Sequence, residues 1–270
     1  MINKYALLIL VLIFSSYQLT ANEISGTSGN VIAVVTDEVK IDDLSFKYDQ
    51  SEYLILGLPY VYKTSLKTIG VIDVEVQYKN FGESRITIKD LSKVDLNKKD
   101  RDRANAEALL IGSALQSYDT SISPSFNFKN PVVGIISSRY GKKRYINEKP
   151  RSPHLALDIA ANLGVEVSAP LKGRVILTGN FFYTGNTIIL DHGFGLISSY
   201  SHLDSSLIKE GQMIQQGELI GTVGETGRVT GPHLHWTVYL NKEKINPENL
   251  LKDNFYITSL RLRKISSNDS

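Results

Sequence analysis

The chemistry in this chain is concentrated in its histidines. There are five in 270 residues, and all five lie between positions 154 and 235. Three short segments carry most of them: His154-Leu-Ala-Leu-Asp158, Tyr200-Ser-His202-Leu203 and Gly231-Pro-His233-Leu-His235. Read as strands, side chains two apart share a face. His154, Ala156, Asp158 and Ala160 then oppose Leu155, Leu157 and Ile159, while His233, His235, Thr237 and Tyr239 oppose Leu234, Trp236, Val238 and Leu240. Ser198, Tyr200 and His202 share a third face. Imidazoles at i and i+2 on one strand lie about 6.5 to 7 Å apart, so both can converge on one small volume. The chain has no cysteine, which leaves His nitrogen and Asp oxygen as the donor set for zinc. Three protein ligands leave a fourth position for water, the feature that separates a catalytic zinc site from a closed structural one. Residue types alone do not select which three of His154, Asp158, His202, His233 and His235 bind metal. His192, at the strand-to-turn boundary Leu190-Asp-His-Gly193, reads as a hydrogen-bonded structural residue.

These side chains need a rigid scaffold, and the chain predicts an all-β one. From Val31 to about Lys89 polar and apolar residues alternate, as in Ile72, Val74, Val76 and Tyr78 against Asp73, Glu75 and Gln77. Turn signals at Gly57-Leu-Pro59, Gly70 and Asn80-Phe-Gly82 break the run, giving a small antiparallel β domain over 22–95. Over 101–118 the period changes: Ala104, Ala108, Ile111, Leu115 and Tyr118 recur at three- and four-residue steps, predicting one amphipathic helix. It connects through a linker with two prolines, 121–131, so that 96–131 forms helix and linker. From 132 to 250 dense glycines separate short β-rich runs, the pattern of a sandwich or barrel-like domain. Residues 251–270 read as a polar tail.

Residues 1–21 read as a secretory signal peptide. Lys4 precedes an uncharged apolar run from Ala6 to Phe14, too short for a membrane span of about 20 residues. The mature protein is therefore expected outside the cytoplasm, with no stable membrane span after cleavage. Absence of cysteine excludes a disulfide framework, a thiol nucleophile and a lipid-modified cysteine anchor. A net charge of +2 without a clustered basic face argues against nucleic acid as a partner. Gly221-Thr-Val-Gly224 and Gly224-Glu-Thr-Gly227 lack the Lys-Ser/Thr ending of a phosphate loop, which excludes that mode of nucleotide binding.

Taken with Ser138-Arg-Tyr-Gly141, Val167-Ser-Ala-Pro170, Gly173-Arg-Val175, Asp191-His-Gly193 and Gly221 to Gly227, in that order, the three histidine segments resemble the LytM/lysostaphin-type zinc metallo-endopeptidases. That family cuts peptide cross-links in bacterial cell walls. The resemblance covers about residues 132–240. It implies one zinc ion per chain on His154, Asp158 and His235. It also implies that His202 and His233 act as catalytic residues beside the activated water, as base and transition-state stabiliser. Ala156 departs from the family, which usually has glycine there. The domain order resembles periplasmic members from Gram-negative bacteria, implying peptidoglycan stem peptides as substrate and the D-alanyl–diaminopimelate cross-link as the bond cut. Some members have lost ligands and serve as non-catalytic activators or wall-binding adaptors of other hydrolases; the complete ligand set here favours an enzyme.

Overall fold

The strand written most clearly in the sequence, His233–Leu240, lies within the largest sheet and between two partners. The computed structural model describes residues 24–35, 43–48, 50–70, 72–89, 91, 94–251 and the backbone of 260–264. The leader expected over 1–21 and most of the expected tail lie outside these residues. Among them the fold is all-β. Strands β1 (Ile24–Thr27), β2 (Val31–Val35), β3 (Ser45–Tyr48), β4 (Ser51–Gly57), β5 (Ser65–Ile69), β6 (Ile72–Gln77) and β7 (Glu83–Ile86) precede helix α1 (Lys98–Ala114). There follow β8 (Ile135–Ser138), β9 (Lys142–Ile146), β10 (Lys149–His154), β11 (Leu157–Ala160), β12 (Glu166–Ser168), β13 (Gly173–Phe181) and β14 (Gly185–Asp191). Last come β15 (Leu196–Ser206), β16 (Met213–Ile214), β17 (Leu219–Val223), β18 (His233–Leu240), β19 (Glu243–Ile245) and β20 (Leu260–Lys264).

A ten-stranded sheet runs in the order β16-β13-β14-β15-β18-β11-β8, with β12, β17 and β19 joined at its margins. Its apolar face packs Leu157, Ile159, Tyr200, Leu234, Trp236, Val238 and Leu240 into one core. Register fixes the opposite face. His235 lies between Ser201 of β15 and Asp158 of β11, and His233 is paired with Ala160.

Earlier strands build three smaller sheets, β1-β6-β5, β20-β2-β4-β3 and β10-β9-β7. They are not purely antiparallel, as the sequence predicts: β1 pairs with β6, β2 with β20 and β7 with β9 in parallel. A period of two fixes which face a side chain takes, and it is silent on strand direction. The parallel pair β2–β20 also gives the expected polar tail a strand.

Helix α1 starts three residues earlier than its apolar period suggests, because the Asn97 side chain caps it by accepting from the Asp100 amide at 2.9 Å. Ile111, Ala114 and Leu115 then pack against Leu177, Phe181, Ile189, Ile197 and Tyr239. The segment expected as a linker is pinned. Ile122, Phe126 and Phe128 are buried, and the Phe128 ring lies 6.2 Å from Trp236 and 5.8 Å from His192. Its prolines and serines mark irregular backbone, whereas its aromatics decide where that backbone sits.

Candidate metal and catalytic site

Four histidines and one aspartate meet on the polar face of the large sheet. Asp158 in β11 faces His235 in β18, with Oδ1 2.7 Å from His235 Nδ1. His154 Nε2 lies 3.0 Å from the same Oδ1 and 3.4 Å from His235 Nδ1. The expected strand through 154–160 does not exist as one piece. His154 ends β10 in the three-stranded sheet, the chain bends at Leu155–Ala156, and Asp158 is the second residue of the next strand. The two side chains still converge, through a corner rather than a shared pleat. Ala156 is buried at that corner and has no left-handed φ, so its methyl meets no backbone strain there.

His202 overturns the shared face expected for Ser198, Tyr200 and His202. Tyr200 is paired with Trp236 and points into the core. Between Asn186–Ile188 and Tyr200–Leu203 the register slips, so β15 carries an extra residue, and His202 adopts φ +66°. This bulge turns His202 back to the polar face. Its ring centroid lies 4.9 Å from that of His233 and 5.6 Å from that of His235.

Backbone carbonyls set the tautomers. A carbonyl only accepts, so a ring nitrogen facing one carries the proton. His154 Nδ1 donates to the Arg139 carbonyl at 3.1 Å, His202 Nδ1 to that of Thr226 at 2.9 Å, and His233 Nδ1 to that of Gly231 at 2.9 Å. In each neutral ring the Nε2 lone pair is therefore left to face the site. Burial would push the Asp158 carboxyl up, but the adjoining His235 and His154 imidazoles outweigh it and hold the group ionised, well below the usual carboxylate range. Burial, helped by His235 and His233, pulls His202 down to about 3, so it is neutral at pH 7. His235 is likewise lowered by burial, against the opposing pull of Asp158.

The donor set fits a zinc ion. With Nδ1 protonated, His154 presents a lone pair directly to an ionised carboxylate at 3.0 Å, an arrangement that a cation between them stabilises. Two overlapping trios bring one donor atom from each residue within 4.8 Å: His154, Asp158 and His235, and His202, His233 and His235. The first alone includes the carboxylate, and the far nitrogen of His154 is held by a carbonyl, as the far nitrogens of His202 and His233 are in the second. His192 lies elsewhere, in the core, with Nδ1 2.7 Å from the Lys172 carbonyl and Nε2 2.7 Å from Ser198 Oγ.

Sequence reasoning missed a group of cations. Arg144, Arg151, Arg228 and Lys244 line one cleft with His154, His235 and Tyr183. They come from separate positions, so no net-charge count reveals them, although 139–151 already holds six Lys and Arg residues: Arg139, Lys142, Lys143, Arg144, Lys149 and Arg151.

Fold and site together define a β-sheet domain built around a His/Asp cluster that could hold a metal ion, with two further histidines beside it. Residues 152–247 match the model of peptidase family M23. The chain is 38% identical over 112 residues to the peptidoglycan DD-endopeptidase ShyA of Vibrio cholerae, a match covering 41% of this chain and 26% of that protein. It is 35% identical over 122 residues to the DD-carboxypeptidase/endopeptidase Mpg of Neisseria meningitidis, covering 45% and 28%. The match thus spans little more than a quarter of each of these relatives. A putative peptidase M23 from Pseudomonas aeruginosa has a similar structure, with TM-score 0.66 and 27% identity over 83% of this chain and 94% of that one.

Proposed function

We propose that the protein is an exported zinc-dependent endopeptidase that hydrolyses peptide cross-links of peptidoglycan, the D-alanyl–diaminopimelate bond in particular, in the periplasm. The observation that carries this reading is the convergence of His154, Asp158 and His235 beside two further imidazoles, His202 and His233, whose Nε2 atoms face the same volume. The names of the relatives support the substrate class, and the apolar run within residues 1–21 supports export.

His154 Nε2, Asp158 Oδ1 and His235 Nδ1 would hold the metal. Zinc bound there supplies Lewis acidity, polarising an amide carbonyl and lowering the pKa of a water. His202 Nε2 and His233 Nε2 would serve as the base that takes a proton from the attacking water and returns it to the leaving amine, and as the stabiliser of the transition state. Burial keeps His202 neutral at pH 7, so its Nε2 lone pair is free to accept a proton. The Thr226 and Gly231 carbonyls hold both rings in the required tautomer. No covalent intermediate is required, so no serine or threonine nucleophile takes part.

The test is digestion of purified cross-linked muropeptides with the zinc-loaded protein. Conversion of dimers to monomers is expected. His233→Ala should keep zinc and lose turnover by about 10²- to 10⁴-fold, the usual contribution of a positioned acid–base group. A wild-type protein that carries zinc and leaves every dimer intact contradicts the proposal.

A further inference from the structure

The cleft beside His154 and His235 holds more positive charge than amide hydrolysis calls for. Arg144 in β9 and Arg151 in β10 stand directly opposite each other in the register of the two strands. Like charges at such a pair are destabilising. Both line a cleft of about 350 Å³, together with Lys244 and with Arg228, whose guanidinium lies 4.3 Å from the Tyr183 ring centroid. Among the described residues, no carboxylate lies within 4.0 Å of the charged groups of Arg144, Arg151 or Lys244. Arg144 Nε is buried and makes no hydrogen bond. Asp158, whose charge Arg144 feels, is already engaged by His154 and His235. Burial, and then the like charges of Arg144 and Arg151, draw Arg228 down against the opposing influence of Tyr183. Such a cluster is balanced by an anion.

We propose that Arg144 and Arg151, with Arg228 and Lys244 beside them, form a subsite that binds a carboxylate of the substrate peptide next to the scissile amide. This deepens the endopeptidase reading and rests on it. A guanidinium presents a planar fork of donors that matches a carboxylate and binds it in bidentate fashion. In a D-alanyl–diaminopimelate cross-link the carbon bearing the leaving amine also bears a carboxylate. A bridge ending on glycine amide nitrogens has no charge at that position. The subsite therefore selects the cross-link by charge, and its residues determine specificity without touching the reacting atoms.

The test uses two cross-linked peptides that differ only in the diaminopimelate carboxylate beside the scissile amide, free in one and a carboxamide in the other. Turnover is measured with the zinc-loaded full chain. Binding is measured separately with His233→Ala, which should not consume the peptides. Wild type should favour the free acid by about 10- to 100-fold in kcat/KM, mainly through KM, as expected for loss of a charged hydrogen-bonding partner. Arg144→Gln and the more exposed Arg151→Gln should lose this preference, with kcat/KM falling far more on the free acid than on the carboxamide, and Arg144→Lys should keep part of it. Equal handling of both peptides by wild type in turnover and in binding overturns the subsite. So does an equal loss on both peptides in variants that still bind zinc. If wild type cleaves neither peptide yet His233→Ala binds the acid preferentially, the endopeptidase reading falls and the subsite stands.

Discussion

At the scale of single residues, histidines in this chain do two different jobs, and burial with hydrogen bonding separates them. His154, His202 and His233 each give Nδ1 to a backbone carbonyl and turn Nε2 toward a shared volume. His192 uses both nitrogens within the core, and burial pulls it down to about 4. Its native pKa is thus below the unfolded value near 6.5. Above pH 6.5 both states are neutral there and the native preference for the neutral ring is fully present. As pH falls from 6.5 to 4 the unfolded chain takes up a proton that the native state refuses, and stability drops by about 3 kcal/mol from this group. Urea unfolding at pH 7 and pH 4.5 checks this. Wild type should lose about 2–3 kcal/mol more than His192→Gln over that interval, and equal losses would show that His192 does not carry the effect.

At the scale of elements, the site is assembled by two irregularities that a strict strand pattern cannot show. The alternation in His233–Leu240 is legible because every second residue is apolar and the strand is regular, so His233 and His235 are placed by sequence alone. His154 and Asp158 also meet as expected, but by a bend at Leu155–Ala156 that moves the chain from one sheet to another. His202 defeats the period altogether, since a bulge reverses its face. A bulge is a long-range fact about register with β14, and nothing in Tyr200-Ser-His202 announces it. The cationic cleft escapes for a similar reason: Arg144, Arg151, Arg228 and Lys244 become neighbours only once β9, β10 and β19 are packed. Gly185 guards the bulge. It has φ +62°, and a Cβ there would collide with Thr226, whose carbonyl holds His202 Nδ1. Gly185→Ala should cost about 1–3 kcal/mol through strain at a left-handed position. Displacing His202 should also cut turnover by at least about tenfold, while zinc content stays at the wild-type level. A variant with unchanged kcat would mean that the Thr226 anchor does not position the ring.

At the scale of the whole molecule, the early strands are part of the structure that supports the site. Val31, Leu44 and Ile55 belong to the same core as Leu157, Leu234 and Trp236, and Gly57 lies close against Leu240 and Ile245. Tyr140 donates its hydroxyl hydrogen to the Lys244 carbonyl at 2.8 Å, and the Asn246 amide donates to the Gly29 carbonyl at 2.8 Å. A shared core predicts one cooperative transition. Trp236 is the only tryptophan and sits fully buried under the site strands, so its fluorescence reports the core beneath the site while far-ultraviolet circular dichroism reports all sheets. Ile55→Ala, from a residue 1% exposed, should lower stability by about 2–5 kcal/mol and shift both signals together. A circular-dichroism transition that moves while the Trp236 transition stays would show that the two parts unfold independently.

Which histidines hold the ion decides the mechanism, because the two possible trios share His235 and differ in every other member. The most direct measurement is zinc stoichiometry by elemental analysis of wild type, His154→Ala and His202→Ala, purified without chelators. One zinc per chain is expected in wild type and in His202→Ala, with none in His154→Ala. Zinc retained by His154→Ala and lost from His202→Ala would place the ion on the other trio and contradict the mechanism.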